Sequence, residues 1–411
     1  MSPRQLKTGF FILEGVNAFA TAYYFNYLFF YLQQKFGFSN LGNLSFSALN
    51  GFVYIFSAFY GGRFSQKHGY FLALYAGFLG MTIILLTGSF MASGPGQLVV
   101  MALWTAAMCF TWPTLEALVS EGEEARGLPR IVGIYNMVWA LGAALAFFSG
   151  GMLVERMGWE SIFWLPATLH LAQFGFALWL ARQHHREPII EQEPAAFLPP
   201  AANHKFQERE EYWGEEGAAP LAAAPARRVA KTFLRMAWVA NPLAYTAINT
   251  ALPLIPDVAR RLELSPMLAG FVCSVWMFAR LAAFVLLWRW TAWHYRFGWL
   301  LSSYLLLILS FAGLLLAPYL WAVVLAQLVF GWSIGLIYYS SLFYSMDASD
   351  TKGAHGGVHE AAIGLGIFAG PSLGALALAF FPRQPHASAW AVSSLLMLGL
   401  VLLTQLRRRN W

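Results

Sequence analysis

The sequence has few charged residues and few cysteines. Charged side chains make up 11% of its 411 residues, whereas a soluble domain carries about 25%. The two cysteines, Cys109 and Cys273, lie in apolar runs, which argues against a disulfide framework and a thiolate metal site. The chain also lacks a G-x-S-x-G motif, a Walker loop and an H-E-x-x-H motif, so no enzyme chemistry and no ATP-driven transport are indicated. We expect no cofactor and no metal.

Long apolar runs occur throughout the chain, and hydrophobic residues make up 58% of it. Runs of about 20 residues match a hydrocarbon core of about 30 Å. The first run is of spanning length, and no cleavable signal peptide is predicted before it. The predicted spans are 9–32, 43–62, 70–92, 97–118, 130–153, 161–181, 233–253, 267–288, 298–317, 320–343, 357–380 and 387–406.

One long polar stretch separates the sixth span from the seventh. It is rich in charge, proline and alanine and poor in aliphatic residues, which is typical of a flexible linker. We therefore predict an N-terminal six-helix bundle at residues 1–181, a cytoplasmic linker at 182–232 and a C-terminal six-helix bundle at 233–411. The predicted fold class is an all-α membrane protein with twelve spans.

The basic residues predict the orientation of the chain. If the N-terminus is inside, twenty lysines and arginines fall in inner segments and five in outer ones, and Arg280 alone falls within the membrane. Because cytoplasmic segments are enriched in Lys and Arg, both termini and the linker are predicted to be cytoplasmic, in the plasma or inner membrane. This topology accounts for the net charge of +6 without a nucleic-acid partner.

The two halves resemble each other in sequence. The segments 133–151 and 357–375 align without a gap at an offset of 224, and three glycines coincide. Asn17 in the first span aligns with Asn241 in the seventh at the same offset, and the inner loops 62–69 and 291–298 align at an offset of 229. Repeated halves related by an axis along the membrane normal are one known plan of transporters.

These features resemble the major facilitator superfamily over nearly the whole chain. That family has a loop after its second span with two glycines, an acidic residue and two basic residues. Gly62, Lys67 and Gly69 match it here, whereas Gln66 takes the acidic position and Tyr70 the final basic one. In the family the acidic residue helps to hold the inward gate shut, so the resemblance implies a weaker or differently built gate.

The resemblance also implies where a solute binds and how it is driven. The family binds substrate near the membrane midplane, between the first, fourth, seventh and tenth spans. Many proton-driven exporters of the family carry a Gly-Pro pair in the fifth span, and this chain has Ala146-Phe147 there. Its absence favours a symporter or facilitator over a drug/proton antiporter.

Two ionisable residues within spans are candidates for function, because such residues usually face a cavity or a partner. Glu14 shares a stripe with Asn17 and Tyr24, and it is either a cavity-facing carboxyl that binds a proton or substrate, or a carboxyl at the cytoplasmic rim. Arg280 keeps its charge and must face water, an acid or an anionic substrate. Glu14 is the most obvious partner for an ion pair; if Arg280 is free, the solute is anionic or strongly hydrogen-bonding.

His170 and Glu116 are further candidates within the spans. His170, in the sixth span, is either a proton relay or a helix-packing residue. Glu116, near the inner end of the fourth span, is interpreted mainly as a gate residue.

Aromatic and amide side chains recur at positions that can line a cavity. They suit sugars, nucleosides and flat organic molecules, although packing and an interfacial aromatic belt account for many of them. Asn241, Tyr245 and Asn249 form one polar stripe, beside Pro242. The remaining substrate-binding candidates are Asn17, Tyr24, Tyr135, Asn136, Arg280 and Trp332.

His355 and His359 are four residues apart, a spacing that zinc sites use on helices. Gly356 and Gly357 are predicted to precede the helix, so the two histidines need not share a helical face. His359 and Glu360 align with Tyr135 and Asn136 of the other half. We predict that they form one wall of an inner gate, with Glu360 either in proton coupling or beside a positive helix terminus.

The sequence thus predicts a monomeric secondary transporter of a small organic solute that works by alternating access, with proton symport as one mode. One alternative is a drug or metabolite efflux antiporter. Two others are of different classes: a polytopic membrane enzyme and a receptor that transports nothing.

Overall fold

The computed structural model describes residues 3–123, 128–184, 219–347 and 352–409, and side chains over 4–123, 130–184, 228–345 and 363–408. These residues are helical and contain no strand. The helices are α1 (Pro3–Phe36), α2 (Asn40–His68), α3 (Tyr70–Gly88), α4 (Gly94–Met108), α5 (Trp112–Ser120), α6 (Leu128–Met157), α7 (Ser161–His184), α8 (Ala219–Arg261), α9 (Pro266–Cys273), α10 (Val275–Arg289), α11 (Phe297–Leu316), α12 (Leu320–Asp347), α13 (Lys352–Phe380) and α14 (Ala387–Arg409).

The fourteen helices make twelve spans. Helices α4 and α5 form the fourth span, which is interrupted before Pro113, a residue without a backbone N–H to continue the helix. Helices α9 and α10 form the eighth span, with a break at Ser274. Ten spans are long and apolar enough to cross a membrane; α1 and α8, which carry more polar residues, complete the twelve. The predicted all-α fold is confirmed.

Two helices begin before the spans predicted for them. Helix α8 begins at Ala219, so the end of the predicted linker at 182–232 is helical, as the alanines of that segment favour. The linker and the two bundles that it separates remain predictions. Helix α13 begins at Lys352, before the predicted start at Gly357. The central part of the predicted linker, 185–218, lies outside the described residues.

The internal repeat is visible in how helices pack. A methyl group on Gly142 of α6 would lie 2.6 Å from the carbonyl oxygen of Gly15 in α1. Its repeat equivalent, Gly366 of α13, meets the carbonyl oxygen of Pro242 in α8 in the same way. In each half, therefore, a glycine lets the fifth helix of the repeat touch the first.

Glycines also bring the two halves into backbone contact. A methyl group on Gly151 of α6 would overlap the carbonyl oxygen of Pro266 in α9, and one on Gly270 of α9 would lie 2.9 Å from the carbonyl oxygen of Phe147. On the other side, one on Gly51 of α2 would lie 2.5 Å from the backbone nitrogen of Phe368 in α13. Small residues allow such close helix approach within membranes.

Three hydrogen bonds join the halves at the end of the bundle away from Pro3. The Asn43 amide donates to the carbonyl oxygen of Pro253 at 3.2 Å, and the Ser47 hydroxyl donates to that of Asn249 at 3.3 Å. The Glu155 carboxylate accepts from the Met267 backbone N–H at 2.8 Å. This end of the bundle, which we call the far end, is closed in the structure.

Replacing Glu155 by alanine is expected to loosen the far end. The carboxylate satisfies a backbone donor in the first turn of α9, where an anion also meets the positive helix terminus. Loss of that interaction costs about 0.3–1 kcal/mol, so the closed fraction should fall by a small factor. Distances between spin labels on Leu41→Cys and Gln384→Cys measure it, since the native Cys109 and Cys273 are buried. Glu155→Gln keeps an acceptor and should stay closed; equal opening of both variants would contradict this role.

Candidate functional site

A buried acidic group lies in the N-terminal half. Glu14 of α1 is 1% exposed, and its Oε2 atom makes no hydrogen bond with a described residue. The Tyr135 hydroxyl is within reach of a side-chain hydrogen bond to Glu14, and Glu116 of α5 is close enough to interact electrostatically with both. Three sequence candidates, Glu14, Glu116 and Tyr135, therefore lie together. We call these three residues the acidic cluster.

The interruption of the fourth span borders the acidic cluster. The Asn17 amide donates to the Thr111 hydroxyl at 3.2 Å, just before α5. The Tyr135 hydroxyl donates to the carbonyl oxygen of Trp112 at 3.2 Å. A broken helix thus supplies backbone and side-chain acceptors next to Glu14, which is where membrane proteins tolerate irregular backbone.

Arg280 of α10 lies between two tryptophans and is 6% exposed. Its Cζ atom is 4.6 Å from the ring centroid of Trp139 in α6 and 5.1 Å from that of Trp276 in α10. No described residue forms an ion pair with it, and its Nε makes no hydrogen bond in that part of the chain. The ion pair with Glu14 that the sequence suggested is therefore not formed, because Trp139 packs against the guanidinium instead.

A hydrogen-bonded link crosses between the halves beside Arg280. The Asn136 side-chain oxygen accepts from the Tyr338 hydroxyl of α12 at 2.9 Å and from the Trp139 indole at 2.8 Å. Tyr338 is near enough to interact electrostatically with both Tyr135 and Arg280. Tyr338 thus lies near both the acidic cluster and the guanidinium.

The polar stripe of α8 approaches the same region. The Tyr245 ring centroid lies 6.4 Å from that of Tyr338, and Tyr245 is close enough to interact with Arg280. Asn241 is buried, and both polar atoms of its amide lack a hydrogen bond within the described part of the chain. Asn249 donates to the carbonyl oxygen of Tyr245 at 3.0 Å and lies at the contact with α2.

Comparison with known proteins supports the predicted family. The family model of the Major Facilitator Superfamily matches residues 3–146. The nucleoside transporter NupG is similar in structure over 98% of each chain, with a TM-score of 0.68 and 12% identity. A POT family transporter in complex with a thioalcohol conjugated peptide is similar over 99% of this chain and 96% of its own, with a TM-score of 0.71 and 11% identity. No curated protein matches the chain.

The family match is confined to residues 3–146, and the two solved transporters share the fold over nearly the whole chain. The ten apolar helices of spanning length among the described residues indicate a multi-pass membrane protein.

Three of the predicted site residues, Tyr24, Trp332 and His170, pack away from the acidic cluster and Arg280. Tyr24 is buried against Trp104 and Phe163, with ring centroids 4.7 and 5.8 Å away, and its hydroxyl lacks a partner among the described residues. Trp332 of α12 is partly buried against the apolar core. Tyr24 and Trp332 therefore remain predictions.

His170 packs against other residues than the acidic cluster and Arg280. Its ring stacks on Phe78 at 6.2 Å, and its Nδ1 is 2.8 Å from the Gln173 side-chain oxygen. Gln173 in turn donates to the carbonyl oxygen of Leu13 at 2.8 Å. His170 thus lies where α1, α3 and α7 pack together. This position favours a helix-packing role for His170 over a proton relay.

The loop characteristic of the superfamily joins α2 to α3. Gly69 has a φ of 94°, a conformation that glycine adopts without strain, and this permits the sharp turn between the helices. The carbonyl oxygen of Gly62 accepts from the Ser65 hydroxyl at 2.8 Å. Gln66 and Lys67 are exposed. The side chains at the start of α13, which the acidic position contacts in the family, lie outside the described residues.

The histidines of α13 share one helix. Because α13 begins at Lys352, His355 and His359 are both helical, so the predicted start that separated them is wrong. The side chains of His355, His359 and Glu360 lie outside the described ones, and their gate and proton roles remain predictions.

Sequence reasoning missed Trp139 and gave Tyr338 and Trp276 no role of their own. Trp139 lies three residues after Asn136 on the same helix, and that spacing places neighbours on one helical face. A groove of about 550 Å³ between α1 and α7 lies elsewhere and is lined by none of the predicted site residues.

Proposed function

We propose that the protein transports a small organic solute by alternating access, with the solute bound between the acidic cluster and Arg280. One observation carries this proposal: buried charged residues of the two halves lie near the Asn136–Tyr338 hydrogen bond, Arg280 close to Tyr338 itself and Glu14 close to Tyr135, which Tyr338 also approaches. Ionisable groups at such depth are costly and are typically retained for function. Asn17, Asn241 and Tyr245 border the same region and are the proposed polar contacts.

The glycine contacts between the halves allow the movement. At Gly151 and Gly51 the backbones of the two halves touch with no side chain between them, so the halves can separate as rigid units and form the same contacts again. With the termini cytoplasmic, as the basic residues predict, the closed far end faces the outside. Solute release on the inside would then involve the segment of α13 that contains His359 and Glu360.

We assign the coupling proton to the acidic cluster. A second negative charge close to the buried Glu14 carboxylate is costly, so a proton on Glu14 or Glu116 stabilises the cluster. Tyr135 and the Trp112 carbonyl then provide hydrogen bonds as the proton arrives and leaves. His170 is engaged with Gln173 and Phe78, outside this cluster.

Reconstituted into proteoliposomes, the purified chain is expected to accumulate at least one solute of a metabolite panel without ATP. An inward proton gradient should drive this accumulation, and a protonophore should abolish it while counterflow continues. The panel should include nucleosides and peptides, since transporters of nucleosides and peptides share the fold.

The controls separate the alternatives. Accumulation that a protonophore leaves unchanged would exclude proton symport. Uptake driven by the opposite gradient would identify an antiporter. Binding without counterflow for every ligand would favour a receptor over a transporter. The monomeric state and the plasma or inner membrane location remain proposals, which sizing in detergent and cell fractionation test.

A further inference from the structure

We propose that Arg280, with Trp139 and Trp276, binds a carboxylate of the solute, so that the substrate class is a small organic acid with a flat or apolar body. For transport this inference rests on the proposed function. For binding it stands on the Arg280 site alone.

The site holds a charge that the described residues do not balance. Arg280 is almost fully buried, has no ion pair with any of them, and has an Nε without a hydrogen-bond partner. A guanidinium keeps its proton in proteins, so it cannot escape burial by becoming neutral. A buried charge of this kind normally requires an anion and hydrogen bonds.

The tryptophans stabilise the guanidinium only in part. Aromatic contacts with a cation are weaker than the cost of removing a charge from water. They also position it: the rings of Trp139 and Trp276 lie 4.6 and 5.1 Å from Cζ. A guanidinium held against aromatic rings keeps its donors in its own plane, where a carboxylate accepts two parallel hydrogen bonds.

The surroundings indicate which end of a solute points to Arg280. The acidic residues Glu14 and Glu116 interact with Tyr135 and form no ion pair with Arg280, so an anionic group is favoured near Arg280 and disfavoured near the two acids. Trp139, Tyr338 and Phe284 form an aromatic wall beside the guanidinium, with ring centroids 5.5 to 6.2 Å apart. A flat apolar body suits that wall.

The test is thermal unfolding of the purified full chain with matched pairs of acids and amides. The probes are benzoate and benzamide, nicotinate and nicotinamide, and indole-3-acetate and indole-3-acetamide, each titrated into the millimolar range. We expect at least one carboxylate to raise the melting temperature and its amide to bind at least about tenfold more weakly, since a ligand of the native state stabilises it.

Arg280→Gln should abolish the preference for the acid, and Arg280→Lys should retain part of it through charge alone. Arg383→Gln, which removes an exposed arginine in the loop before α14, is the matched control and should behave as wild type. If Arg280→Gln does not fold, the acid–amide comparison on the wild-type chain decides by itself.

The proposal is overturned if amides bind as well as acids, if no carboxylate raises the melting temperature, or if Arg280→Gln keeps the preference. Vesicle uptake of the bound acid separates this inference from the proposed function. If an acid binds but is never transported, the proposed transport function is refuted and the carboxylate site at Arg280 is retained. If only neutral solutes are taken up, the organic-acid substrate class is refuted and the transport function is retained.

Discussion

Gly151→Ala is expected to reduce transport by one to two orders of magnitude. The added methyl group would overlap the carbonyl oxygen of Pro266, which is backbone and cannot rotate away. Overpacking of this kind costs about 1–3 kcal/mol, which is about 5- to 150-fold in a two-state equilibrium. Because the cost falls on the closed far end alone, the variant should populate the state that is open there. Fewer transport cycles should then be completed.

Two measurements check this result. Uptake in proteoliposomes should fall, and the distance between labels on Leu41→Cys and Gln384→Cys should lengthen without solute. Gly175→Ala is the matched control, because a methyl group there meets nothing within 4 Å and Gly175 is exposed on α7. Replacing glycine by alanine raises the helix propensity equally at both positions. The two variants therefore differ only in the contact of the added methyl group with Pro266. Wild-type distances in Gly151→Ala would show that this contact does not hold the far end closed.

Glu14→Gln is expected to abolish accumulation against a gradient while leaving exchange in place. Glutamine keeps the size and a hydrogen bond to Tyr135 but cannot carry a proton on and off. One proton per solute across one pH unit supports about tenfold accumulation, since one unit is worth about 1.4 kcal/mol. That accumulation should disappear in the variant, and counterflow of labelled solute should continue.

Glu160→Gln is the control for Glu14→Gln, because it also removes one carboxyl from the N-terminal half. Glu160 lies outside the spans and is paired with Lys35 at 3.3 Å. A hydrogen bond from its own backbone, together with Lys35, lowers the pKa of this carboxyl despite partial burial. It is therefore ionised at neutral pH, and its variant should accumulate solute as wild type does. Undiminished accumulation by Glu14→Gln would move the proton step to Glu116, His170 or Glu360.

Much of the fold was predictable because it depends on patterns within each segment. Apolar runs of spanning length predicted twelve spans, and each predicted span coincides with a helix or helix pair of the structure, although 70–92 runs past the end of α3 at Gly88 and 298–317 ends one residue past α11. The differences lie at the starts of two helices. Alanine propensity extends α8 back to Ala219, and α13 continues through Gly356 and Gly357 to begin at Lys352.

The site was predictable only in part. Glu14, Tyr135 and Arg280 stood out because ionisable and polar residues are rare in spans, and the structure places Glu14 beside Tyr135. Of the two alternatives for Arg280, the ion pair with Glu14 is not formed. Which side chain meets a buried charge depends on how α6 packs against α10, and residues more than a hundred positions apart carry no sequence pattern of that contact.

By itself, then, the sequence determined the twelve spans, the repeat and the list of polar residues inside the membrane, because each follows from composition and spacing along one helix. Only the tertiary structure decided which of those residues meet. It placed Trp139 rather than an acid against Arg280, joined Asn136 to Tyr338 across the halves, and set Gly151 against Pro266. The physical reason is that the neighbours of a buried side chain depend on how the helices pack against one another. That packing involves every helix of the bundle and is not encoded in the spacing along any one of them.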